Sequence, residues 1–482
     1  MIEPFTGWRA SGGLQRRTIA WRDPAVVVQA LAEQHGQDGL VWLDGDGTAL
    51  GRRSLVGLAP LEVVSCRGLP GEPGARDPFA ALAAMVDGGG HWMGWLSYEA
   101  GGWVETGEAW RSPAMAQLWA ARHDPVLEFD AAAGCLRLEG HDGARLAAMT
   151  AAIEALAPTP PQASATQAPI AAPAIRAAMA HPAPPEPGLR LENWRWHTDG
   201  PAFAAGVERI RDWIAAGDLF QANLTACCEQ ELTGRVDVLA LYQRLRRSCP
   251  APFGGLAIAA GTEGSNPAQT PVEAILSASP ERFLQVSASG LVESRPIKGT
   301  RPRHHDPAID ADAAADLVSS AKDRAENVMI VDLLRNDLGR VCVPGSIQVP
   351  QLVGLESYAQ VHHLTSVVQG QLRAGLGVVD LLRACWPGGS ITGAPKVRAC
   401  RRLHGLEPVP RGPYCGSLFR LAHDGSFDSS ILIRSAFVHQ RTIRVQAGCG
   451  IVADSEPEAE AAELGWKLQP LLEALSPSSP SP

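Results

Sequence analysis

The pattern of apolar and polar residues differs between the part of the chain before residue 157 and the part after residue 188. Before residue 157, runs rich in aromatic and β-branched residues, such as 39–43 and 91–98, are typical of strands on a pleated surface. After residue 188, strand-like runs alternate with segments whose apolar residues recur at helical spacing. Hairpin-like pairs of strands interleaved with helices indicate an α+β fold with antiparallel sheets, rather than a doubly wound parallel sheet.

Downstream of residue 200, the pattern predicts a helix followed by a strand with one polar face. Apolar residues recur at helical spacing between 203 and 214, and the pattern stops at Gly217, which favours a helix end. Residues 219–225 then alternate, so that the polar residues from Gln221 to Thr225 share one face. A polar strand face inside a large domain predicts the wall of a binding site.

The same two patterns predict further elements of the second part. The last helix is expected to begin with a capping box formed by Ser455 and Glu458, with Pro457 in its first turn. Strands are predicted at 274–277, 282–287, 431–438 and 442–447, and helices at about 307–320, 322–338 and 456–474.

A biased segment divides the sequence. Residues 157–188 are mostly Pro, Ala, Ser and Thr, a composition that cannot form a packed core and that predicts a flexible linker. It separates an N-terminal region, residues 1–156, from a larger region, residues 189–474. Residues 475–482 are rich in Ser and Pro and are predicted to form a disordered tail.

Composition excludes several partners and compartments. A net charge of −9 and a pI near 5.8, without a run of Lys or Arg, leave no basic face for nucleic acid. The N-terminus lacks a signal-peptide pattern, and no apolar stretch approaches the roughly 20 residues that span a bilayer. The ten cysteines show neither a Cys-x-x-Cys pair nor the spacing of a zinc site. We therefore expect a cytoplasmic protein that binds neither nucleic acid nor membranes.

Lysine is rare, which makes its positions informative. The 42 basic residues include only four lysines, Lys298, Lys322, Lys396 and Lys467. A chain that otherwise uses arginine is expected to retain lysine where a primary amine is needed, although a GC-rich genome could also leave four lysines.

Lys298 lies in Pro-Ile-Lys-Gly-Thr, where the glycine lets the backbone approach a ligand. It is a candidate nucleophile, and a surface lysine in a turn is the alternative.

Two predicted helices carry carboxylates in line. Asp323 and Glu326 are three residues apart and therefore share one helix face. On the last helix, Glu460, Glu463 and Lys467 also share a face. Mg²⁺ commonly takes one or two protein carboxylates, so these residues are candidate metal ligands. The alternatives are an exposed acidic helix start and a surface Glu–Lys pair that contributes only about 0.3–0.5 kcal/mol.

Three further features are candidates for binding an anion. Residues 448–450 read Gly-Cys-Gly after a predicted strand, and their N–H groups could surround a carboxylate. Residues 390–396 form a second glycine-bearing turn that ends at Lys396. Arg434 is predicted to lie in the middle of a strand, where a buried arginine usually has an anionic partner, either a protein carboxylate or a substrate.

In this order, the segments at 296–300, 323–327 and 448–451 resemble the chorismate-utilising enzymes, which include anthranilate, aminodeoxychorismate, isochorismate and salicylate synthases. The similarity covers residues 195–472 and is weaker in the N-terminal third. It implies an α+β fold like that of anthranilate synthase component I, with large antiparallel sheets packed as a sandwich and helices outside. By this resemblance, residues 189–474 would be the chorismate-binding catalytic domain.

The resemblance also implies Mg²⁺ as the cofactor and assigns roles to individual residues. Glu326 and Glu463 would be the principal magnesium ligands. Asp323 and Glu460 would lie near the ion or its waters. Glu281 would be the general acid that protonates the departing C4 hydroxyl of chorismate, a role generally worth about 10²–10⁴-fold. The implied substrate-binding residues are Tyr414, Arg434, Gly448, Gly450 and Lys467 at the two carboxylates, His363, Thr392 and Lys396 around the ring, and Gln221 and Thr300.

Two positions determine the branch within the family. Water-adding members are similar in having a lysine where this chain has Gln221, which disfavours isochorismate or salicylate synthesis. Anthranilate synthases have alanine in place of Lys298, whereas aminodeoxychorismate synthases have the lysine. The closest resemblance is therefore to aminodeoxychorismate synthase component I, of para-aminobenzoate and folate biosynthesis. It implies that Lys298 attacks C2 and forms a covalent adduct, and that ammonia then adds at C4.

The ammonia needs a source, and the chain contains no Gly-x-Cys-x-Gly nucleophile elbow for glutamine hydrolysis. The resemblance therefore implies a heterodimer with a separate glutamine amidotransferase subunit. Two alternatives stay open. Anthranilate synthase component I is the nearer one. A non-catalytic chorismate-binding relative is the other, but it would have no need of Lys298 or Glu281.

Overall fold

The computed structural model describes residues 13–107, 110–159, 189–233, 236–259, 273–358 and 361–476. There the chain forms two large antiparallel sheets with helices on their outer faces, so the α+β sandwich is confirmed. The α-helices are Pro24–His35 (α1), Pro78–Gly88 (α2), Gly143–Glu154 (α3), Gly200–Ala215 (α4), Val238–Ser248 (α5), Pro307–Ser319 (α6), Ala321–Gly339 (α7), Val378–Cys385 (α8), Lys396–Leu406 (α9) and Pro457–Leu475 (α10).

The strands are shorter and more numerous than the helices. They are Gln15–Ala20 (β1), Val41–Asp44 (β2), Arg53–Gly57 (β3), Glu62–Cys66 (β4), His91–Leu96 (β5), Leu118–His123 (β6), Val126–Asp130 (β7), Cys135–Gly140 (β8), Arg195–Trp196 (β9), Gln221–Glu231 (β10), Gly254–Ala259 (β11), Glu273–Ser277 (β12), Arg282–Val286 (β13), Leu291–Ser294 (β14), Ile297–Pro302 (β15), Gln348–Ser357 (β16), Val361–Gln371 (β17), Gly393–Ala394 (β18), Ser417–Leu421 (β19), Phe427–Ile431 (β20), Ser435–His439 (β21) and Thr442–Ile451 (β22).

Both sheets combine strands from the two parts of the sequence. The first sheet has the order β1-β8-β7-β3-β2-β11-β12-β21-β22-β10-β18, and the two parts meet where Trp42 of β2 pairs with Leu256 of β11. The second sheet has the order β15-β17-β14-β13-β20-β19-β5-β6-β4, and the two parts meet where Gly94 pairs with Phe419. The predicted linker therefore divides the sequence but neither sheet, and residues 160–188 lie outside the described residues.

Successive residues of the central strands face two different apolar cores. Trp42 and Leu276 pack in the core that also contains residues of helices α1, α3, α4, α5 and α10. Their neighbours Val41 and Ile275 belong to the core shared with the second sheet and helices α2, α7 and α8. Because both faces of these strands are buried, they have the continuous apolar sequences that are usual for covered sheets.

Several helices begin at an aspartate that is followed by proline. Asp23 and Asp77 each accept a hydrogen bond from N–H groups of the first turn, and the proline after each of them has no N–H that would need a partner. Helix α10 begins differently, at Glu456 and without a side-chain cap, so the predicted capping box is wrong. Ser455 Oγ instead donates a hydrogen bond to Glu460 Oε1 at 2.7 Å.

Two of the predicted strands have different bounds in the structure, so three candidate site residues lie on other elements than predicted. The predicted strand at 431–438 is interrupted between β20 and β21, and Arg434 lies in this connection with a φ of 49°. Its placement in the middle of a strand was therefore wrong. The strand predicted at 442–447 continues to Ile451, so Gly448 and Gly450 lie within β22 and not in a turn after it.

The predicted disordered tail begins too early. Helix α10 continues to Leu475, which is fully buried. Ser476 is 3% exposed, and its Oγ accepts a hydrogen bond from Trp194 Nε1 at 3.1 Å. These two residues therefore belong to the packed structure, and residues 477–482 lie outside the described residues.

The cysteines behave as buried apolar side chains. All ten are free thiols, and eight of them are buried. Burial raises the pKa of the Cys227 and Cys449 thiols to about 12, so neither is a thiolate near neutral pH. Among the described residues, no helix combines the length and the apolar character needed to cross a bilayer.

The contacts of the last helical residues give a stability prediction. Leu475→Ala should lower the free energy of unfolding by about 2–5 kcal/mol, because it leaves a cavity in the core that contains Trp42 and Leu276. Leu191→Ala is the matched control, since Leu191 is 49% exposed and should change stability by about 0.5 kcal/mol or less. Chemical denaturation of both variants measures the difference. Equal midpoints would contradict the packed end of α10.

Candidate active site

Glu326 lies where three elements of the fold meet. Its Oε1 atom, on α7, accepts a hydrogen bond from Lys298 Nζ on β15 at 2.6 Å and another from Gln221 Nε2 on β10 at 2.7 Å. The side chains of Lys298 and Glu326 are only 13% and 11% exposed, so water screens the ion pair weakly. The structure thus brings together a predicted nucleophile, a predicted metal ligand and a predicted substrate-binding residue.

Gly450 leaves the space in which these three side chains converge. A Cβ atom at this position would lie 2.4 Å from Gln221 Nε2 and 2.5 Å from Glu326 Oε1. It would also lie 3.3 Å from Lys298 Nζ. Any larger residue would therefore push this cluster apart, which gives a steric reason for glycine at position 450.

Strand β22 passes along the edge of this space. It pairs with β10 through Gly450↔Asn223 and Gly448↔Thr225, whereas its pairing with β21 ends at Val445. The edge of residues 446–451 that faces away from β10 is therefore not covered by β21. A strand edge with glycines presents backbone groups without side-chain obstruction.

Glu463 on α10 is surrounded by lysines. Its Oε1 atom lies 2.7 Å from Lys467 Nζ, which also donates a hydrogen bond to the carbonyl oxygen of Gly448 at 2.9 Å. Burial opposes ionisation of Glu463, but the charges of Lys467, Lys322 and Lys298 together lower its pKa. Lys298 and Lys467 therefore both stabilise the ionised form of Glu463, although they lie on different elements.

Glu460 is the more deeply placed carboxylate of α10. It is 4% exposed, and its Oε1 atom is 3.2 Å from Lys322 Nζ of α7. Ligand atoms of Glu460, Glu463 and Cys449 lie within 4.8 Å of one another. The two glutamates that were predicted from helical spacing therefore do share one face, and they face α7.

Each lysine of the chain is paired with a carboxylate. Three of these carboxylates are predicted magnesium ligands, so ammonium groups balance the charge that a divalent cation would balance. The donors are carboxylate oxygens, which suit a hard cation such as Mg²⁺, and the residues present therefore fit the implied ion. The pairs are Lys298–Glu326 at 2.6 Å, Lys322–Glu460 at 3.2 Å, Lys396–Asp337 at 2.6 Å and Lys467–Glu463 at 2.7 Å.

Asp323 is the predicted ligand with the most different surroundings. Its Oδ2 atom lies 3.4 Å from a guanidinium nitrogen of Arg301. It also packs against Gly299, which has a φ of +85° and where a Cβ atom would lie 2.9 Å from Asp323 Cβ. In the described part of the chain, Asp323 and Glu326 do not join the group around Glu460 within 4.8 Å. The contacts of Asp323 indicate that it positions the part of β15 that carries Lys298.

Glu281 is a buried carboxyl group near Lys298. It is 6% exposed, and Ser390 Oγ donates a hydrogen bond to its Oε1 atom at 3.3 Å. Burial raises the pKa of Glu281 to about 7, against the opposing effects of Lys298 and the Ile297 backbone. At neutral pH this group can both give and take a proton, which fits a general acid.

Arg434 is a candidate for binding a substrate anion. Burial lowers the pKa of its guanidinium group, and no hydrogen bond or ion pair joins its side chain to another residue of the described ranges. A left-handed backbone conformation is costly for a residue with a side chain and is usually retained for a reason.

Nearby, burial and the charge of Arg434 lower the pKa of His363 to about 4, so this imidazole is neutral. His363 Nδ1 is 2.8 Å from Thr300 Oγ1.

Three predicted substrate-binding residues have other contacts in this structure. Lys396 forms its ion pair with Asp337 and donates a hydrogen bond to the carbonyl oxygen of Cys385 at 3.1 Å, so these two groups hold its amine in this structure. Thr392 is fully buried, and its hydroxyl group donates to the carbonyl oxygen of Gly388. Tyr414 is 3% exposed, and burial raises the pKa of its hydroxyl group well above its usual range.

Two residues were missed as site residues. Lys322 had been noted only for the rarity of lysine, and its pairing with Glu460 depends on the approach of α7 to α10, which spacing in sequence does not reveal. Ser390 lies in the turn that was singled out for its glycine and Lys396, and its hydroxyl group reaches Glu281. The rarity of lysine was the one available signal, and it applied to Lys322 as well.

The chain matches known proteins over most of its length. The family model described as chorismate binding enzyme covers residues 67–473. Aminodeoxychorismate synthase component 1 of Salmonella typhimurium is 43% identical over 295 residues, which are 61% of this chain and 62% of that protein. This match thus spans less than two thirds of that relative. Anthranilate synthase component 1 of Streptomyces coelicolor is 36% identical over 442 residues, 87% of this chain and 81% of that protein.

Solved structures are similar over nearly the whole chain. Anthranilate synthase component I from Streptococcus pneumoniae superposes with a TM-score of 0.67 at 26% identity, over 87% of this chain and 92% of that one. The menaquinone-specific isochorismate synthase MenF from Escherichia coli has a TM-score of 0.68 at 18% identity, over 98% and 96%. The second similarity concerns the fold alone.

The raised pKa of Glu281 predicts a pH-dependent stability difference. The protonated carboxyl group contributes stability that is fully present below its ordinary pKa of 4.5 and is lost as the pH rises through about 7. Glu281→Gln has no such loss, so it should gain stability relative to the unmodified protein between pH 5 and pH 8. Denaturation midpoints of both proteins across this range measure the gain. A constant difference between the two proteins would contradict the raised pKa.

Proposed function

The chain belongs to the family of chorismate binding enzymes, and we propose that it aminates chorismate at C4 to give 4-amino-4-deoxychorismate. The observation that carries the proposal is the position of Lys298, a primary amine that is 13% exposed and held 2.6 Å from Glu326 at the junction of β10, β15, β22 and α7. The relative from Salmonella typhimurium named aminodeoxychorismate synthase component 1 supports the same reaction.

Replacement of a hydroxyl by an amine at one carbon, without a net shift of double bonds, is achieved by two allylic displacements. In the first, the neutral amine of Lys298 attacks C2, the double bonds shift, and the C4–O bond breaks. In the second, ammonia attacks C4, the double bonds return, and the bond between C2 and Lys298 breaks. The two displacements restore the lysine and leave the nitrogen of ammonia on C4.

Glu281 would balance the protons of this sequence. Its protonated form gives a proton to the departing C4 oxygen, which leaves as water. Its carboxylate then accepts a proton from the nitrogen that ammonia brings to C4. A pKa of about 7 allows both transfers near neutral pH, and the hydrogen bond from Ser390 orients the group.

The substrate carboxylates would be bound by cations and backbone N–H groups. Arg434 is partly buried and its guanidinium has no carboxylate partner among the described residues, so a substrate carboxylate would satisfy it. Gly448 and Gly450 present a strand edge beside Lys298. Neutral His363, with Thr300 bound to it, adds a polar wall that carries no charge.

Glu326, Glu460 and Glu463 would hold Mg²⁺, with Asp323 supporting the part of β15 that carries Lys298. When bound, the ion supplies positive charge for the ring carboxylate of chorismate. Lys298 would then no longer be needed to balance Glu326, so its amine becomes available for reaction. Glu326, a proposed metal ligand, and Lys298, the proposed nucleophile, are therefore linked through one ion pair.

Ammonia would come from a separate glutamine amidotransferase subunit. The sequence has no nucleophile elbow for glutamine hydrolysis, and the relative from Salmonella typhimurium is named as a component 1. Free ammonia should therefore support the reaction of the isolated chain, and glutamine alone should not. This division of labour makes the proposal testable without the partner.

Anthranilate synthesis is the second candidate function. It is favoured by the 36% identity with the Streptomyces coelicolor anthranilate synthase component 1, which extends over 87% of this chain. Against it stands Lys298, because elimination of pyruvate and amination at C2 leave no role for an enzyme amine beside the ring. The product distinguishes the two reactions, since anthranilate is fluorescent.

The reaction predicts a specific loss of activity in Lys298→Arg. Arginine retains the positive charge beside Glu326 but cannot form the adduct, so C4 amination should fall by at least about 10³-fold. Chromatography of chorismate, Mg²⁺ and ammonium incubations measures 4-amino-4-deoxychorismate and anthranilate. The matched control is Arg335→Gln on α7, a 54% exposed residue that should retain activity. Anthranilate as the main product of the unmodified protein would overturn the proposed reaction.

The lysine pairs predict that Lys322→Gln binds Mg²⁺ more tightly. This substitution removes an ammonium group that balances Glu460 and acts on Glu326 and Glu463, so less charge competes with the metal. Isothermal titration with Mg²⁺ in the absence of substrate should show a gain of about 3- to 10-fold in affinity. Arg335→Gln should show none. An unchanged or weaker affinity of Lys322→Gln would argue against a metal site at these glutamates.

A further inference from the structure

A second cluster of metal-ligating side chains lies outside the active site. It consists of His91 at the start of β5, Glu139 near the end of β8 and His423 in the connection between β19 and β20. The Nδ1 atom of His423 is 2.8 Å from His91 Nε2 and 3.2 Å from Glu139 Oε1. The third distance, from His91 Nε2 to Glu139 Oε1, is 3.6 Å. Three possible ligand atoms therefore face one point.

We propose that His91, Glu139 and His423 form a binding site for a divalent transition metal such as Zn²⁺. Around a tetrahedral ion with bonds of about 2.0–2.1 Å, ligand atoms lie about 3.3–3.4 Å apart. The three distances in this structure lie on both sides of that value, so small side-chain rotations would complete the geometry. Three protein ligands leave the fourth position for water.

Two imidazole nitrogens determine the class of metal. Imidazole suits Zn²⁺, Co²⁺ and Ni²⁺, whereas Mg²⁺ prefers oxygen donors. The cluster therefore differs in chemistry from the glutamates of the active site, which offer oxygen donors and lysines. The three ligands are widely separated in sequence, so they do not form the short Cys and His spacings that identify a zinc site in a sequence.

The protonation of the cluster is compatible with metal binding. The side chain of His91 is 14% exposed, and an imidazole binds a metal through a nitrogen that carries no proton. The close contact with His423 Nδ1 requires a proton on one of the two nitrogens. Metal binding would move that proton to the other nitrogen of the same ring, so no net proton release is needed.

Outer contacts orient the carboxylate. Glu139 Oε2 accepts a hydrogen bond from Arg16 Nε at 2.5 Å, which leaves Oε1 directed at the two histidines. Such contacts to the second atom of a ligand are usual at metal sites. The side chains of Glu139 and His423 are 22% and 15% exposed, so an ion can reach them from solvent. Exposed His141 lies at the open side, with its ring centroid 6.3 Å from that of His423.

The position of the cluster indicates what the metal would do. Glu139 belongs to the first sheet, whereas His91 and the β19–β20 connection belong to the second. A bound ion would therefore connect the two sheets at a point where the two parts of the sequence meet. Because binding to the folded state alone stabilises it, the expected consequence is a metal-dependent rise in thermal stability.

Cobalt titration of the full chain tests this site. Co²⁺ gives intense visible absorption when it is four-coordinate, and excess Mg²⁺ in the buffer keeps the active site occupied. The unmodified protein should bind one equivalent with this spectrum. The spectrum should be lost in His423→Gln and Glu139→Gln and retained in the control His35→Gln, an exposed histidine on α1. Ammonia-dependent turnover of chorismate should be unchanged in all three, which shows that they are folded.

Two results of the cobalt titration would overturn the proposal. One is a spectrum that survives in His423→Gln, or that disappears in Glu463→Gln instead, because the metal would then occupy another site. The other is the absence of stoichiometric Co²⁺ binding, in which case the cluster is a hydrogen-bond network only. As a second measurement, Zn²⁺ should raise the thermal midpoint of the unmodified protein and not that of His423→Gln. Equal shifts in both proteins would also contradict the site.

Discussion

The ion pair between Lys298 and Glu326 is the interaction on which the candidate active site depends. Both side chains are almost shielded from water, so each needs a partner of opposite charge, and loss of one would leave the other buried and uncompensated. Gln221 adds a second hydrogen bond to the same carboxylate oxygen, and Gly450 leaves the room for all three. A single carboxylate therefore holds the amine in place, and the same carboxylate is one of the three that we propose as Mg²⁺ ligands.

The fold supplies this pair by joining elements that are distant in sequence. Strand β10 provides Gln221, β15 provides Lys298, α7 provides Glu326 and β22 provides Gly450. Both faces of the central strands are covered, which fixes their register and hence the direction of these side chains. The N-terminal region contributes strands to both sheets, so it supports the site without supplying any of the four residues that meet at Glu326.

Sequence alone predicted the fold class, four helices of the second part (α4, α6, α7 and α10) and the residues that meet at Glu326. Helical spacing was sufficient for Glu460 and Glu463, because they lie on one helix. It was not sufficient for Lys322 or Ser390, whose partners lie on other elements and are brought close only by tertiary packing. Arg434 was misplaced because its apolar neighbours are typical of a strand, whereas the backbone turns there. The ion pair of Lys396 was not foreseen, because a turn with a lysine does not reveal the buried Asp337 that pairs with it.

The central claim is that the amine of Lys298 bonds to the substrate ring. Mass spectrometry of the unmodified chain, incubated with chorismate and Mg²⁺ and without ammonia, tests it most directly. We expect the intact mass to rise by that of chorismate less one water, and peptide mapping to locate the addition at Lys298. An unmodified protein in which the substrate is nevertheless bound, or an addition at another lysine, would contradict the account.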